Sequence, residues 1–200
     1  MLQDVVVATN NQGKIAEIQA ILKKEPYHII SIGQIVPEFS VVEDGMSYAE
    51  NAIKKARHAS FLTGKMAIAD DSGLEVDALG GTPGIYSARF GGEELPFPDK
   101  IALLLRQLEG TDQRVARFRC VIAVVSPEGI VETCEGVCEG MIAYEPRGSF
   151  GFGFDPIFWL PEYQKTMAEL MPDVKNAISH RGKALRQLPK VFESVSAAAN

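Results

Sequence analysis

MAIADDSGLEV, Met66 to Val76, runs from small apolar residues into two adjacent carboxylates, Asp70 and Asp71, then turns apolar again. Its first half reads as a buried strand. Aspartate is a poor strand former, and neighbouring carboxylates repel. MAIAD is therefore expected to be the strand, with the acidic pair at its C-terminal end. In open α/β sheets that end is where ligands gather. The stretch thus sets both a fold class and a place to look for chemistry.

The flanking sequence supports an α/β reading. Upstream, SYAENAIKKARHASFLTG (Ser47–Gly64) carries the capping pattern S-x-x-E at Ser47 and Glu50, and Gly64 is a good stop. Ala52, Ala56 and Ala59 give this helix a small-residue face suited to close packing on a sheet. Further back, DVVVAT is a β-branched strand that breaks at TNNQGK. KIAEIQAILKK then puts Ile15, Ile18 and Leu22 on one helical face, and YHIISI is a second strand. Downstream, FPDKIALLLRQLEG reads as a helix with Pro98 in its first turn and Gly110 after its end. Two long extended runs around Ser126–Gly129 predict an antiparallel hairpin. After Pro146 comes the Gly- and Phe-rich GSFGFGFDPIF. Two more helical segments follow, the first capped at its first turn by Thr166 and Glu169 and the last spanning Gly182 to Val195, and SVSAAAN reads as a frayed tail. The expectation is one α/β domain over residues 1–200, with a mixed sheet and flanking helices.

Composition narrows the partners. At 46% hydrophobic and 23% charged, the 200-residue chain suits a globular domain with a real core. No apolar run reaches membrane-spanning length, and MLQDVVVATN lacks a signal-peptide pattern. Cys120, Cys134 and Cys138 are odd in number and have no zinc-type spacing, so they read as core or strand residues of a reducing compartment, the cytoplasm. A net charge of −6 argues against a nucleic-acid groove, though not against a small polyanion met by local cations.

Four polar clusters could carry chemistry. Thr9, Asn10, Asn11, Gln12, Gly13 and Lys14 form a strand-to-helix turn whose N–H groups and lysine suit a phosphate; an ordinary capped turn is the alternative. Asp70 and Asp71, with Glu43, Asp44 and Glu50, offer oxygen ligands for Mg²⁺ and a candidate general base. A solvated turn with an Asx-type cap would explain the acidic pair equally well. Phe152, Gly153, Phe154 and Asp155 fit a loop that approaches a flat ligand and stacks an aromatic ring on it, or a Gly-aromatic strand edge. Lys175, His180 and Arg181 precede the last helix, where cations oppose the dipole, so another demand is implied. Reading a purine's 6-oxo edge is one.

Taken together, T-N-N-x-G-K, A-D-D-S-G-L with G-G-x-P-G-I-Y-S-A-R-F, F-G-F-D-P and S-H-R-G resemble the inosine/xanthosine triphosphate pyrophosphatase family over nearly the whole chain. The resemblance implies a Mg²⁺-dependent house-cleaning enzyme that converts dITP, ITP and XTP to monophosphate and pyrophosphate. It also implies an elongated, two-lobed α/β fold with a central cleft, and a homodimer. Position by position, Thr9 to Lys14 would bind the triphosphate. Asp71 would be proton acceptor and metal ligand, Glu43 the second metal-site acid, and Ser72 a substrate contact. Phe152 to Asp155 would hold the base, and Lys175, His180 and Arg181 would complete its pocket. Asn10, where a Gly is frequent, and Phe154, in place of Tyr or Trp, depart from the commoner pattern. Rival readings are a pyrophosphatase for modified pyrimidine or methylated nucleotides, and a non-catalytic nucleotide sensor.

Overall fold

The computed structural model describes residues 3–198. Gln3–Val7 is strand β1, and Gln12–Leu22 is helix α1, burying Ile15, Ile18 and Leu22 as their spacing predicts. Strand β2, Tyr27–Ser31, lies parallel to β1. Helix α2, Tyr48–Thr63, begins at Ser47, whose Oγ accepts from the Glu50 amide, and ends on Gly64 in the left-handed conformation. Glu50 reaches back to the Met46 amide at 2.8 Å, one residue short of the expected capping box.

Strand β3, Met66–Val76, pairs parallel with β1. Here the structure corrects the sequence reading: the strand does not stop at Asp70–Asp71 but runs straight through them. Helix α3 is Phe97–Gln107. Strands β4, Val115–Val125, and β5, Val131–Ile142, flank the turn at Ser126–Ile130 and are neighbours in the sheet. The short strands β6, Phe158–Leu160, and β7, Lys165–Thr166, extend the sheet in antiparallel fashion from β5. The order is β2-β1-β3-β4-β5-β6-β7, parallel at one end and antiparallel at the other. It is the mixed α/β sheet expected.

The C-terminal part is more broken than predicted. Helix α4 is Pro172–Ile178, and α5, His180–Leu185, and α6, Leu188–Ala198, replace the single last helix expected from Gly182 to Val195. Pro189 has no N–H to donate to the Leu185 carbonyl, so one continuous helix cannot form there. Ser194 to Ala198 belong to α6 rather than to a tail; the end of SVSAAAN, Ala199 and Asn200, lies outside the described residues. All three cysteines are buried and free.

Two compact units are distinguished: one formed by the chain up to Asp71, Cys120–Gly136 and the chain from Arg181 on, the other by Ser72–Arg119 and Val137–His180. In the first unit, strand alternation sorts the core by face. Val5, Val7, Met66 and Ile68 pack with α1 and α6 residues such as Ile18, Leu22 and Phe192. Val6, Ala8, Ala67 and Ala69 pack against Ala52, Ala56 and Ala59 of α2. The second unit has its own cluster, including Leu74, Val76, Leu104, Phe154 and Phe158.

Gly73, two residues past the acidic pair, is fixed by crowding. A Cβ there would collide with the Gly84 carbonyl and lie 2.7 Å from Ser87 Oγ, the hydroxyl that accepts from the Leu74 amide at 2.8 Å. Gly73→Ala should therefore lower stability by about 1–3 kcal/mol, the usual cost of overpacking. A urea midpoint equal to that of the parent would refute the crowding.

Candidate active site

In the first unit, the alternation of β3 sends Asp70 and Asp71 to opposite faces of the sheet. Each finds its own cations. Both are nearly buried, at 3% and 5% exposure, so these partners decide whether the charges are tolerated. Asp70 Oδ2 receives Lys14 Nζ from α1 at 3.0 Å, and Nε and Nη2 of Arg181 from α5 at 3.2 and 3.0 Å. Arg181 Nη1 also reaches Glu17 Oε2 at 2.5 Å. Asp71 faces α2, where Asn51 Nδ2 donates to its Oδ2 at 3.1 Å and Lys55 Nζ lies 3.5 Å from its Oδ1. Lys55 also holds Glu43 at 2.9 Å.

These surroundings push the two acids apart. Burial alone would raise Asp70, but Lys14, Arg181 and Lys55 outweigh it and hold the carboxyl far below the ordinary range. Asp71 goes the other way: burial raises it, Glu43 adds to the rise, and Lys55, Lys14 and Asn51 only partly offset both. Burial works against the Lys55 charge too, yet Asp71, Asp70 and Glu43 raise its pKa, keeping it an ammonium. Neighbouring acids driven in opposite directions mark a fixed anion and a proton acceptor. Of the two, Asp71 is the one whose surroundings favour the proton.

The turn before α1 is only partly what the sequence suggested. Asn11 is its N-cap, with Oδ1 accepting from the Lys14 amide at 3.1 Å. Thr9 Oγ1 accepts from the Asn11 amide at 3.2 Å, and Asn10 donates to the Phe39 carbonyl at 2.8 Å. The side chains of Asn10 and Asn11 therefore brace the turn. The helix offers no partner to the Gln12 and Gly13 amides, which suit an anion. Glu43 and Asp71, joined through Lys55, are oxygen donors of the kind Mg²⁺ takes one or two of, with phosphate and water completing its shell. Among the described residues no group of three or more metal-ligating side chains is assembled. The donor set fits a shared site with substrate, not a closed protein cage.

In the second unit, Ser72 follows on β3, half-buried. The FGFDP segment is tied from within. Asp155, expected to accept from a ligand's ring N–H, accepts from the Phe152 amide at 2.8 Å and from Lys175 Nζ at 2.5 Å. Gly151, at φ 75°, has no room for a Cβ beside that pair. Phe154, expected at the ligand, is a core residue that packs edge-on against Phe97 at 5.5 Å and Phe90 at 6.3 Å. Phe152 stays half-buried, with Lys175 Nζ 4.8 Å from its ring centre, and Gly153 adjoins it at φ 66°. His180 stacks on Phe118 at 4.7 Å. Arg181, read from the sequence as a base-pocket donor, is committed to Asp70 and Glu17. Asn51, Lys55 and Glu17 went unread; their only signal was the i, i+4 spacing of Asn51 and Lys55 beside the alanine face.

The fold belongs to a known class. The chain is a member of the Ham1 family, whose model matches residues 5–191. It is 53% identical over 190 residues to the dITP/XTP pyrophosphatase of Desulforamulus reducens, covering 94% of each chain. It is 46% identical over 196 residues to that of Bacillus subtilis, covering 97% and 99%. A HAM1 protein of Coxiella burnetii superposes with TM-score 0.87 at 43% identity, covering 96% of this chain and 99% of that one. The Staphylococcus aureus Ham1 protein gives TM-score 0.86 at 44% identity, with the same coverage. The resemblance drawn from the four motifs therefore holds across the chain.

The two acids should differ in stability. Asp70, with its lowered pKa, stabilises the fold at neutral pH, and that contribution is lost progressively as pH falls from the ordinary carboxylate range through its depressed folded value. Asp71, with its raised pKa, has the opposite sign: stability falls as pH rises from the ordinary carboxylate range through its raised folded value. Asp70→Asn should cost about 3–5 kcal/mol at pH 7, leaving Lys14 and Arg181 buried without their anion, whereas Asp71→Asn should not destabilise. Urea unfolding of the two variants side by side checks this, and equal losses would overturn the assignment.

Proposed function

We propose that the protein hydrolyses non-standard purine nucleoside triphosphates, dITP, ITP and XTP, to the monophosphate and pyrophosphate, with Mg²⁺. The reading draws on the similarity to dITP/XTP pyrophosphatases. The observation that carries it is the opposed pair Asp70 and Asp71, the first ion-paired to Lys14 and Arg181, the second held by Asn51 and Lys55 beside Glu43.

In this reading Asp71 takes the proton of a water that attacks the α-phosphorus, and the bond from that phosphorus to the α–β bridging oxygen breaks. Pyrophosphate leaves on that oxygen. The Gln12 and Gly13 amides and Lys14 receive phosphate oxygens, Lys14 being held in place by Asp70. Glu43 and Asp71 would hold Mg²⁺, which when bound neutralises phosphate charge. Phe152 stacks on the base, and Lys175 and His180 donate to the 6-oxo edge. Adenine would set its own amino donor against them, leaving buried groups unpaired at a cost of about 1–3 kcal/mol each. Asp155 keeps Lys175 and the Phe152 loop in place. A homodimer working on the cytoplasmic nucleotide pool completes the proposal.

Pyrophosphate release from a panel of triphosphates, with and without Mg²⁺, tests the reading. dITP and XTP should turn over and ATP should not; equal rates for ATP, or release of single phosphates, would overturn it. Asp71→Asn should lose at least about a hundredfold in kcat, the scale of a general base. A nucleotide sensor would instead keep its binding and show no turnover even before the change. Phe152→Ala should raise KM more than it lowers kcat, because stacking holds ground and transition states alike. An unchanged KM with a large kcat loss would assign the ring another role.

A further inference from the structure

The first turn of helix α2 carries a side chain that joins one acid of the candidate metal site, Asp71, to the loop that bears the other, Glu43. Asn51 is fully buried. Its Oδ1 accepts from the Gly45 amide at 2.8 Å, and its Nδ2 donates to Asp71 Oδ2 at 3.1 Å. The orientation of the amide is forced: Gly45 N–H can only donate and an ionised carboxylate can only accept, so a flipped amide would face like with like on both sides. Gly45 lies two residues past Glu43 and cannot carry a side chain. A Cβ there would lie 2.7 Å from Asn51 Oδ1 and 2.8 Å from Glu50 Cβ. The same loop is drawn to α2 by Lys54–Asp44 at 2.5 Å, by Lys55–Glu43 at 2.9 Å and by the Met46 amide on Glu50. Of these contacts, only Lys55 and Asn51 connect the loop to Asp71. Lys55 does so as a mobile point charge, Asn51 as a rigid planar group with one hydrogen bond in each direction.

We infer that Asn51 is a positioning residue that sets the separation of Glu43 from Asp71 and turns Asp71 so that Oδ1, the oxygen facing Lys55, is the one presented on the Glu43 side. The inference rests on the proposed reading of that site. A supporting amide of this kind orients a ligating carboxylate, and its loss typically costs ten- to a hundredfold in metal affinity or activity.

The test compares Asn51→Leu, which keeps the volume and removes both hydrogen bonds, with Gly45→Ala, which displaces the loop from its other end. Ser60→Ala serves as a stability control. Ser60 sits on the same helix, and its Oγ donates to the Lys65 and Ser126 carbonyls at 2.8 and 3.1 Å, away from the acids. Mn²⁺ is titrated into each full-length protein without nucleotide and its binding followed by electron paramagnetic resonance; melting temperature and dITP turnover are measured alongside. Asn51→Leu and Gly45→Ala should each weaken Mn²⁺ binding about tenfold or more and lower kcat by a similar factor, with KM little changed. Ser60→Ala should lower the melting temperature and leave the Mn²⁺ affinity alone. Parental Mn²⁺ affinity in Asn51→Leu overturns the inference, and so does a loss that merely follows melting temperature as it does in the control. Should Asn51→Leu fail to fold, Gly45→Ala decides alone by the same criteria. If the parent itself neither binds Mn²⁺ nor releases pyrophosphate, the proposed function fails; if it does both and the variants match it, only the role of Asn51 fails.

Discussion

Consecutive side chains on a β-strand point to opposite faces of the sheet, and the site depends on that period of two. Asp70 and Asp71 are neighbours in sequence but not in environment. One enters the layer of α1 and α5, the other the layer under α2. Had the chain turned at the pair, as the composition of the stretch suggests, both carboxylates would have met water and neither would have been tuned. Keeping them in the strand buries both, and burial makes each dependent on the cations of its own side. A single local choice of backbone thus separates a permanent anion from a titratable one.

Close packing makes the second half of this arrangement possible. Ala52, Ala56 and Ala59 leave no bulk between α2 and the alanines of β3, so the helix lies near enough for Asn51 and Lys55 to reach Asp71. These two are four residues apart and share the inward face with the alanines. Larger core residues would push the helix outward, beyond the reach of an asparagine. Core composition here is part of the chemistry, because the length of one amide side chain limits how thick the layer between helix and sheet can be.

What could be read in advance follows from how local each feature is. The α1 face, the Ser47 cap, the Gly64 stop and the mixed sheet depend on nearby residues, and all were legible. The passage of β3 through Asp70 and Asp71 was not, because strand propensity lost to ion pairs with Lys14 and Arg181, the latter more than a hundred residues away. Asn51 and Lys55 carry no local signal beyond their spacing beside the alanines. Phe154 and Asp155 read as ligand contacts because glycines alternating with phenylalanines suit a loop that approaches a flat ligand. Their roles are set by Phe90, Phe97 and Lys175, which no local pattern reveals. The break between α5 and α6 has a local signal in Pro189, inside the single helix expected there.

The charges of the first unit's cluster bear on how an acidic protein could handle a polyanion. Four carboxylates, Glu17, Glu43, Asp70 and Asp71, are joined in ion pairs to three cations, Lys14, Lys55 and Arg181. With every group ionised the cluster carries one net negative charge, and the chain as a whole carries −6. A triphosphate approaching it gains nothing from net charge. It gains from the few donors that remain directed outward, and from any cation shared with Glu43 and Asp71. One divalent ion would turn the local sum from −1 to +1. The same ion would also favour the ionised form of Asp71 against the burial that opposes it. Phosphate binding and readiness of the proton acceptor would then be coupled through that ion, and a cluster carrying a surplus of lysines would lose the coupling.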